Sequence, residues 1–221
     1  ASDVYKRQVY ASEPCTDSPL FELEEVVVTP HLGASTVEAQ DRAGTDVAAS
    51  VLKALAGDFV PDAVNVSGGK VSEEVALWLN LATNLGRVAS ELLNSAPNTV
   101  TVTARGELST ESVDALGLAG LRGVFSGVID EQVTFVNAPQ IAEERGVELG
   151  VQTQDESVSH RSILEVQVVA ADGTTATVAG ALTGLEHVEK IVRINHRGLD
   201  LRATGTNLFL VYPDQPVSYT H

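Results

Sequence analysis

Two residues near the start of the chain have types and spacing that suit proton transfer. His31 stands in Thr29-Pro30-His31-Leu32-Gly33-Ala34-Ser35-Thr36, and Glu13 stands in Ser12-Glu13-Pro14, eighteen positions earlier. An imidazole changes charge close to neutral pH. A carboxylate on one of its nitrogens fixes the tautomer and raises its pKa, which leaves the other nitrogen free to pass a proton. A nearby helix start acts the other way, because its positive end disfavours imidazolium. Taken one at a time, a loop histidine with an ordinary hydrogen bond and a solvated glutamate are the plainer readings, and the catalytic reading needs both residues together.

A second cluster lies far from the first. Lys190, Arg193, Arg197 and Arg202 fall within thirteen residues, with His187 and His196 beside them, in a chain of net charge −16. Forked guanidinium groups recognise phosphate and carboxylate. Strict alternation along a strand would put Lys190 and Arg193 on opposite faces. With Arg197 at a hairpin tip and Arg202 on the returning strand, Lys190, Arg197 and Arg202 are expected to form one cationic pocket. A solvated face bridged to surplus carboxylates is the competing reading.

The elements that must position these groups can be read from periodicity. Val26-Val27-Val28 reads as a short buried strand ended by Thr29-Pro30, since proline has no N–H for a ladder. Ser35 and Glu38 fit a capping box, so a helix is expected from Thr36 to about Ala56, with Gly57 beyond its end. His31 would then sit between a strand end and a helix start, where open α/β sheets place ligands. Residues 59–65 carry a proline and lack helical period, so they read as a crossing between domains.

A new unit is expected from Ser72, which should cap a helix with Val75, Leu79, Ala82, Leu85, Val88 and Leu92 on one stripe and Trp78 in the same core. Residues 98–105 alternate as a strand, and 111–128 read as a helix in which Gly117, Gly120 and Gly123 let backbones approach. Residues 134–136 read as a short strand, and Asn137 as the cap of a helix ending at Gly146. Residues 147–153 read as extended. Two hairpins follow: 161–170 with 174–182 around Asp172-Gly173, and 188–194 with 199–203 around Asn195-His196-Arg197-Gly198. Residues 207–212 read as one further strand.

The 221 residues include 30 acidic and 14 basic side chains. That balance argues against nucleic acid and against anionic membrane surfaces as partners. Cys15 is the only cysteine, which excludes an internal disulfide, and it reads as a small apolar filler. No Cys/His spacing suggests a metal, and no signal peptide or long apolar run is evident, so a cytoplasmic location is expected. Residues 1–8 and 217–221 match no globular pattern and read as foreign ends.

Val9-Tyr10-Ala11-Ser12-Glu13-Pro14, with Val27-Val28-Thr29-Pro30-His31-Leu32-Gly33-Ala34-Ser35-Thr36 and the following Glu38-Ala39-Gln40, resembles the D-2-hydroxyacid dehydrogenases. Within them the chain is most similar to the long bacterial D-3-phosphoglycerate dehydrogenases, over roughly residues 9 to 216. The resemblance implies an α/β remnant, the C-terminal end of a Rossmann-like domain with its crossing helix (9–65). An α+β intervening domain would follow (66–205), and then the first strand of an ACT regulatory domain (206–216). It implies His31 and Glu13 as the acid–base pair, Gly33 and Ala34 near the nicotinamide of NAD, and oxidation of 3-phosphoglycerate on the way to L-serine. The motifs Lys190-Ile191-Val192-x-Ile194-Asn195-x-Arg197 and Asp200-Leu201-Arg202-Ala203 imply an anionic effector or substrate bound by Lys190, Arg197 and Arg202. Gly198 stands where some relatives have another histidine. A small-molecule substrate and a homo-oligomer, a tetramer in the family, are the partners implied. A free-standing anion-sensing module and a dehydrogenase acting on another 2-hydroxy acid are the alternatives. Catalysis by this chain alone is not expected.

Overall fold

The computed structural model describes residues 10, 14–29, 32, 35–64, 66 and 71–210. The chain divides into two compact units, one up to Ala56 and one from Gly57. Its architecture is mixed α/β, an α/β segment followed by an α+β domain.

The first unit is held together by short-range contacts. Ser18 opens a 3-10 turn over Pro19–Glu22, its Oγ accepting from the Leu20 N–H at 3.3 Å. Tyr10 meets Phe21 edge to face, with ring centroids 6.0 Å apart. Residues 26–29 belong to no helix or strand and pair with no strand among the described residues, and Val27 is 92 % exposed. The buried strand expected over 26–28 therefore does not form, because a ladder needs a neighbour for its backbone groups. Helix α1 spans Val37–Ala56. Thr36, not Ser35, is its cap: Thr36 Oγ1 accepts from the Ala39 N–H at 3.1 Å, and the Thr36 carbonyl accepts from Gln40 at 3.0 Å. Glu38 lies in the first turn. Gly57 follows at φ +80°, the left-handed conformation that lets a chain leave a helix.

The second unit is a six-stranded sheet with helices on one face. Ser72 caps α2 (Glu73–Glu91) by accepting from the Val75 N–H at 3.2 Å. Strand β1 is Pro97–Gly106, and a 3-10 turn leads into α3 (Asp114–Ser126). The short α4 (Ala138–Arg145) ends at Gly146, φ +66°, and β2 (Glu148–Gln154) follows. Then come β3 (Ser162–Ala170), β4 (Thr175–Thr183), β5 (Val188–Ile194) and β6 (Arg197–Arg202). The spatial order is β2-β1-β3-β4-β5-β6. Only β1 and β2 are parallel, as expected for strands joined through helices; β3 pairs antiparallel with β1, and β3 to β6 meander through short turns.

One face of the sheet makes the core. Val100, Val102 and Ala104 of β1, Leu164, Val166 and Val168 of β3, and Val178 of β4 are buried with Trp78, Leu81 and Leu85 of α2 and Leu121, Val124 and Phe125 of α3. The glycines of α3 act in this packing. A side chain at Gly123 would strike the Thr83 carbonyl, and one at Gly86 would strike the Gly120 carbonyl, so α2 and α3 touch backbone to backbone.

Four further expectations are corrected here. Residues 134–136 form a turn, not a strand, with Phe135 buried. Asn137 is the N-cap residue of α4, its carbonyl accepting from the Ile141 N–H at 2.9 Å, but its side chain does not cap the helix; its Oδ1 accepts from the Thr134 N–H at 2.6 Å and from the Thr134 hydroxyl at 3.0 Å, stapling the turn before the helix. The second hairpin turns on Asn195-His196 alone, with Asn195 at φ +53°, so Arg197 begins β6 and does not lie in the loop. Residues 207–210 form no strand, and Leu208 and Leu210 are exposed.

Candidate functional site

Glu13, His31, Gly33 and Ala34 lie outside the described residues. The basic hairpin β5–β6 is described throughout. Lys190 and Arg202 are direct cross-strand partners, so both project from the sheet face opposite the helices. The Lys190 ammonium is held by the Asp200 carboxylate, at 2.8 Å and 3.0 Å from its two oxygens. Arg197 pairs with Ile194, which packs on the core, and this puts Arg197 on the other side of the sheet. The single pocket expected from Lys190, Arg197 and Arg202 is therefore not formed. Lys190 and Arg202 are together with Asp200, and Arg197 is apart, because the shorter turn leaves it inside β6, five residues from Arg202, where alternation puts the two on opposite faces.

Arg193 departs from expectation in the opposite direction. The register of β4 with β5 slips between Ala179 and Gly180, leaving Val192 as a bulge. One extra residue reverses the alternation, so Arg193 shares the open face with Lys190. There it donates to Glu165 on β3, across Ala179. The other Glu165 oxygen accepts from Arg105 of β1 at 3.2 Å, and Arg105 also donates to Gln154 of β2. The Glu165 side chain is only 14 % exposed although its face carries no helix, because two guanidinium groups cover it.

Residues 74–195 match the family described as the D-3-phosphoglycerate dehydrogenase intervening domain. The chain belongs to that family. It is 59 % identical, over 208 residues, to proteins named D-3-phosphoglycerate dehydrogenase from Mycobacterium leprae and Mycobacterium tuberculosis, and 33 % identical over 219 residues to one from Archaeoglobus fulgidus. The mycobacterial matches cover 94 % of this chain, the archaeal one 98 %. The chain spans about two fifths of the length of these relatives, 39 % of the mycobacterial proteins and 40 % of the archaeal one. The relatives are named as dehydrogenases.

Within this intervening domain, the residues that sequence reasoning missed are Arg105 and Glu165. Their trace was present: Glu165 and Gln167 alternate with Leu164, Val166 and Val168, which marks a polar sheet face. Nothing in one strand says which arginine from a distant strand will arrive there.

A cavity of about 690 Å³ opens on the helix side, between Asn84, Arg87 and Glu91 of α2, Ile191 of β5 and the segment carrying Ala203 and Phe209. None of Lys190, Arg197 and Arg202 lines it. At the far end of the sheet, Arg161 donates to Glu107 at 2.5 Å and holds its carboxyl below the usual carboxylate range. Burial lowers the Arg122 guanidinium, which lies 4.9 Å above the Phe135 ring and donates to the Val133 carbonyl at 3.1 Å. These groups anchor turns. Among the described residues no cluster of His, Cys, Asp and Glu could hold a metal, and no helix is long and apolar enough to cross a membrane.

Proposed function

We propose that this chain is part of a cytoplasmic, NAD-dependent D-3-phosphoglycerate dehydrogenase that oxidises 3-phosphoglycerate to 3-phosphohydroxypyruvate for L-serine synthesis. One observation carries the reading: 59 % identity along 94 % of the chain to proteins named for that activity. His31 accepts the proton of the substrate hydroxyl, and Glu13 orients and charge-balances the imidazole. Gly33 and Ala34 would flank the nicotinamide of NAD, which would supply the hydride acceptor. The chain itself holds no Gly-x-Gly-x-x-Gly loop for the dinucleotide, so catalysis requires the longer protein.

The intervening domain is its anion-responsive part, in an assembly of more than one copy. Lys190 and Arg202 are the centre of that response, with Arg197 as a separate contact. An anion at Arg202 competes with Asp200 for Lys190, which links occupancy to the hairpin edge.

The test is a chimera in which this chain replaces its matching stretch of the Mycobacterium tuberculosis relative. NADH formation from 3-phosphoglycerate is expected from the chimera and not from the chain alone. His31→Ala in the chimera should lower kcat by about 10²–10⁴-fold, the usual cost of losing a positioned acid–base group. An active His31→Ala chimera contradicts the assignment. Calorimetric titration of the chain with 3-phosphoglycerate should lose its signal in Arg202→Ala and keep most of it in Arg197→Ala.

A further inference from the structure

The sheet has two edges, and only one is guarded. Edge strands are usually protected by charges, bulges or proline, because their unpaired N–H and C=O groups accept further strands. The β6 edge carries Arg197, Asp200 and Arg202, and its register with β5 is broken between Ile191 and Arg193. The β2 edge has none of this. Its seven residues run in unbroken register with Thr99 to Arg105 of β1, with no proline and a single charge, Glu148, at the first position. Among the described residues no backbone hydrogen bond reaches its outer side.

We propose that β2 is a self-association edge, at which two copies of this chain pair their β2 strands antiparallel about Val151 and join their sheets. The sequence of the strand is self-complementary in this register. Val151 meets Val151, Gly150 meets Gln152, Leu149 meets Thr153 and Glu148 meets Gln154. Faces also agree: Glu148, Gly150, Gln152 and Gln154 share the side of Thr99, Thr101, Thr103 and Arg105, while Leu149 and Val151 lie on the helix side, beside Gly117. No like charges oppose. The one carboxylate of each β2 arrives beside Gln154 of the other copy, one strand from the Arg105 guanidinium that Gln154 already accepts from. The lone charge on the edge thus faces a neutral amide, and no like charge, at both ends of the twofold.

Strand pairing alone buries less than the roughly 1,600 Å² of a standard interface, so a dissociation constant on the order of 10–100 μM is expected for the chain alone. The inference rests on the proposed function only for the expectation of more than one copy. Its test reads association and no activity, so the two can fail separately.

Sedimentation velocity of the whole chain over a range of concentrations is the measurement. Wild type should shift from monomer to dimer. Gln154→Glu keeps an acceptor for Arg105 within the monomer but sets two carboxylates opposite each other at both ends of the pair. About tenfold weaker dimerisation is expected from two such like-charge pairs, with an unchanged thermal midpoint. Adding Glu148→Lys to that variant replaces each repulsion by an attraction and should restore dimerisation to at least the wild-type level. A chain that stays monomeric throughout, or a Gln154→Glu variant that dimerises as tightly as wild type, overturns the proposal.

Discussion

Helices α1 and α2 have 20 and 19 residues, and both carry an apolar stripe, yet α1 buries no residue while α2 buries seven. In α1, Val47, Val51, Leu52 and Leu55 are between half and three-quarters exposed. In α2, Val75, Leu81 and Leu85 are fully buried. The difference lies in the neighbours. Amphipathicity is written in a sequence, but burial needs an opposing surface, and α2 finds one in α3 and the sheet because Gly86, Gly120 and Gly123 let backbones touch. Among the described residues, the buried core lies in the second unit.

The comparison is broken most forcefully by truncating each side in turn. Phe125→Ala empties a fully buried site and should cost about 3–5 kcal/mol of unfolding free energy. Leu52→Ala in α1, at 68 % exposure, should change it by less than about 0.5 kcal/mol. Urea titration of both variants measures the contrast, and equal losses would mean that α1 shares the core.

A smaller effect tests the polar face of the same domain. Glu165→Gln leaves Arg105 and Arg193 facing each other without a charge between them. Removing one partner of a buried pair costs about 3–5 kcal/mol, but Arg193 is about one third exposed, so roughly 2 kcal/mol is expected. Raising the salt concentration should recover part of the loss.

The smallest expected effect is at a turn. Asp172 accepts from the Ser95 hydroxyl at 2.5 Å, from the Thr174 hydroxyl at 2.6 Å and from the Thr174 N–H at 2.9 Å, which lowers its pKa to about 2. A depressed carboxylate contributes stability that is complete above its unfolded value, near 4, and fades as pH falls through the folded value. The β3–β4 hairpin should therefore loosen between about pH 4 and pH 2. In Asp172→Asn that pH dependence should vanish, with a lower starting stability, as followed by amide exchange at Thr174 and Thr175.

Much of the second unit was legible in the sequence because local rules and packing agree there. Ser72, Gly146 and Asp172-Gly173 mark their boundaries by chemistry that acts over three or four residues, and Val100, Val102 and Ala104 alternate towards the core as their spacing implies. What was not legible depended on parity and on partners. The bulge at Val192 moves Arg193 to the face of Lys190, and the two-residue turn at Asn195-His196 moves Arg197 away from it, so one cationic pocket became two separate arrangements. The bulge is a single residue that no periodicity records, whereas Arg197 parts from Arg202 by ordinary alternation once the length of the turn is fixed. The run at Val26 to Val28 reads as a strand in isolation but lacks a pairing strand among the described residues. The expected acid–base pair, Glu13 and His31, rests on sequence and resemblance alone.

The central claim is that the intervening domain holds its own structure while the helix after the His31 motif does not. Native-state hydrogen exchange of the whole chain tests it most directly. The account predicts slow exchange, close to the global unfolding limit, in α2, α3, β1 and β3, and exchange in α1 at rates near those of an isolated helix. Protection of α1 equal to that of α2 would contradict it.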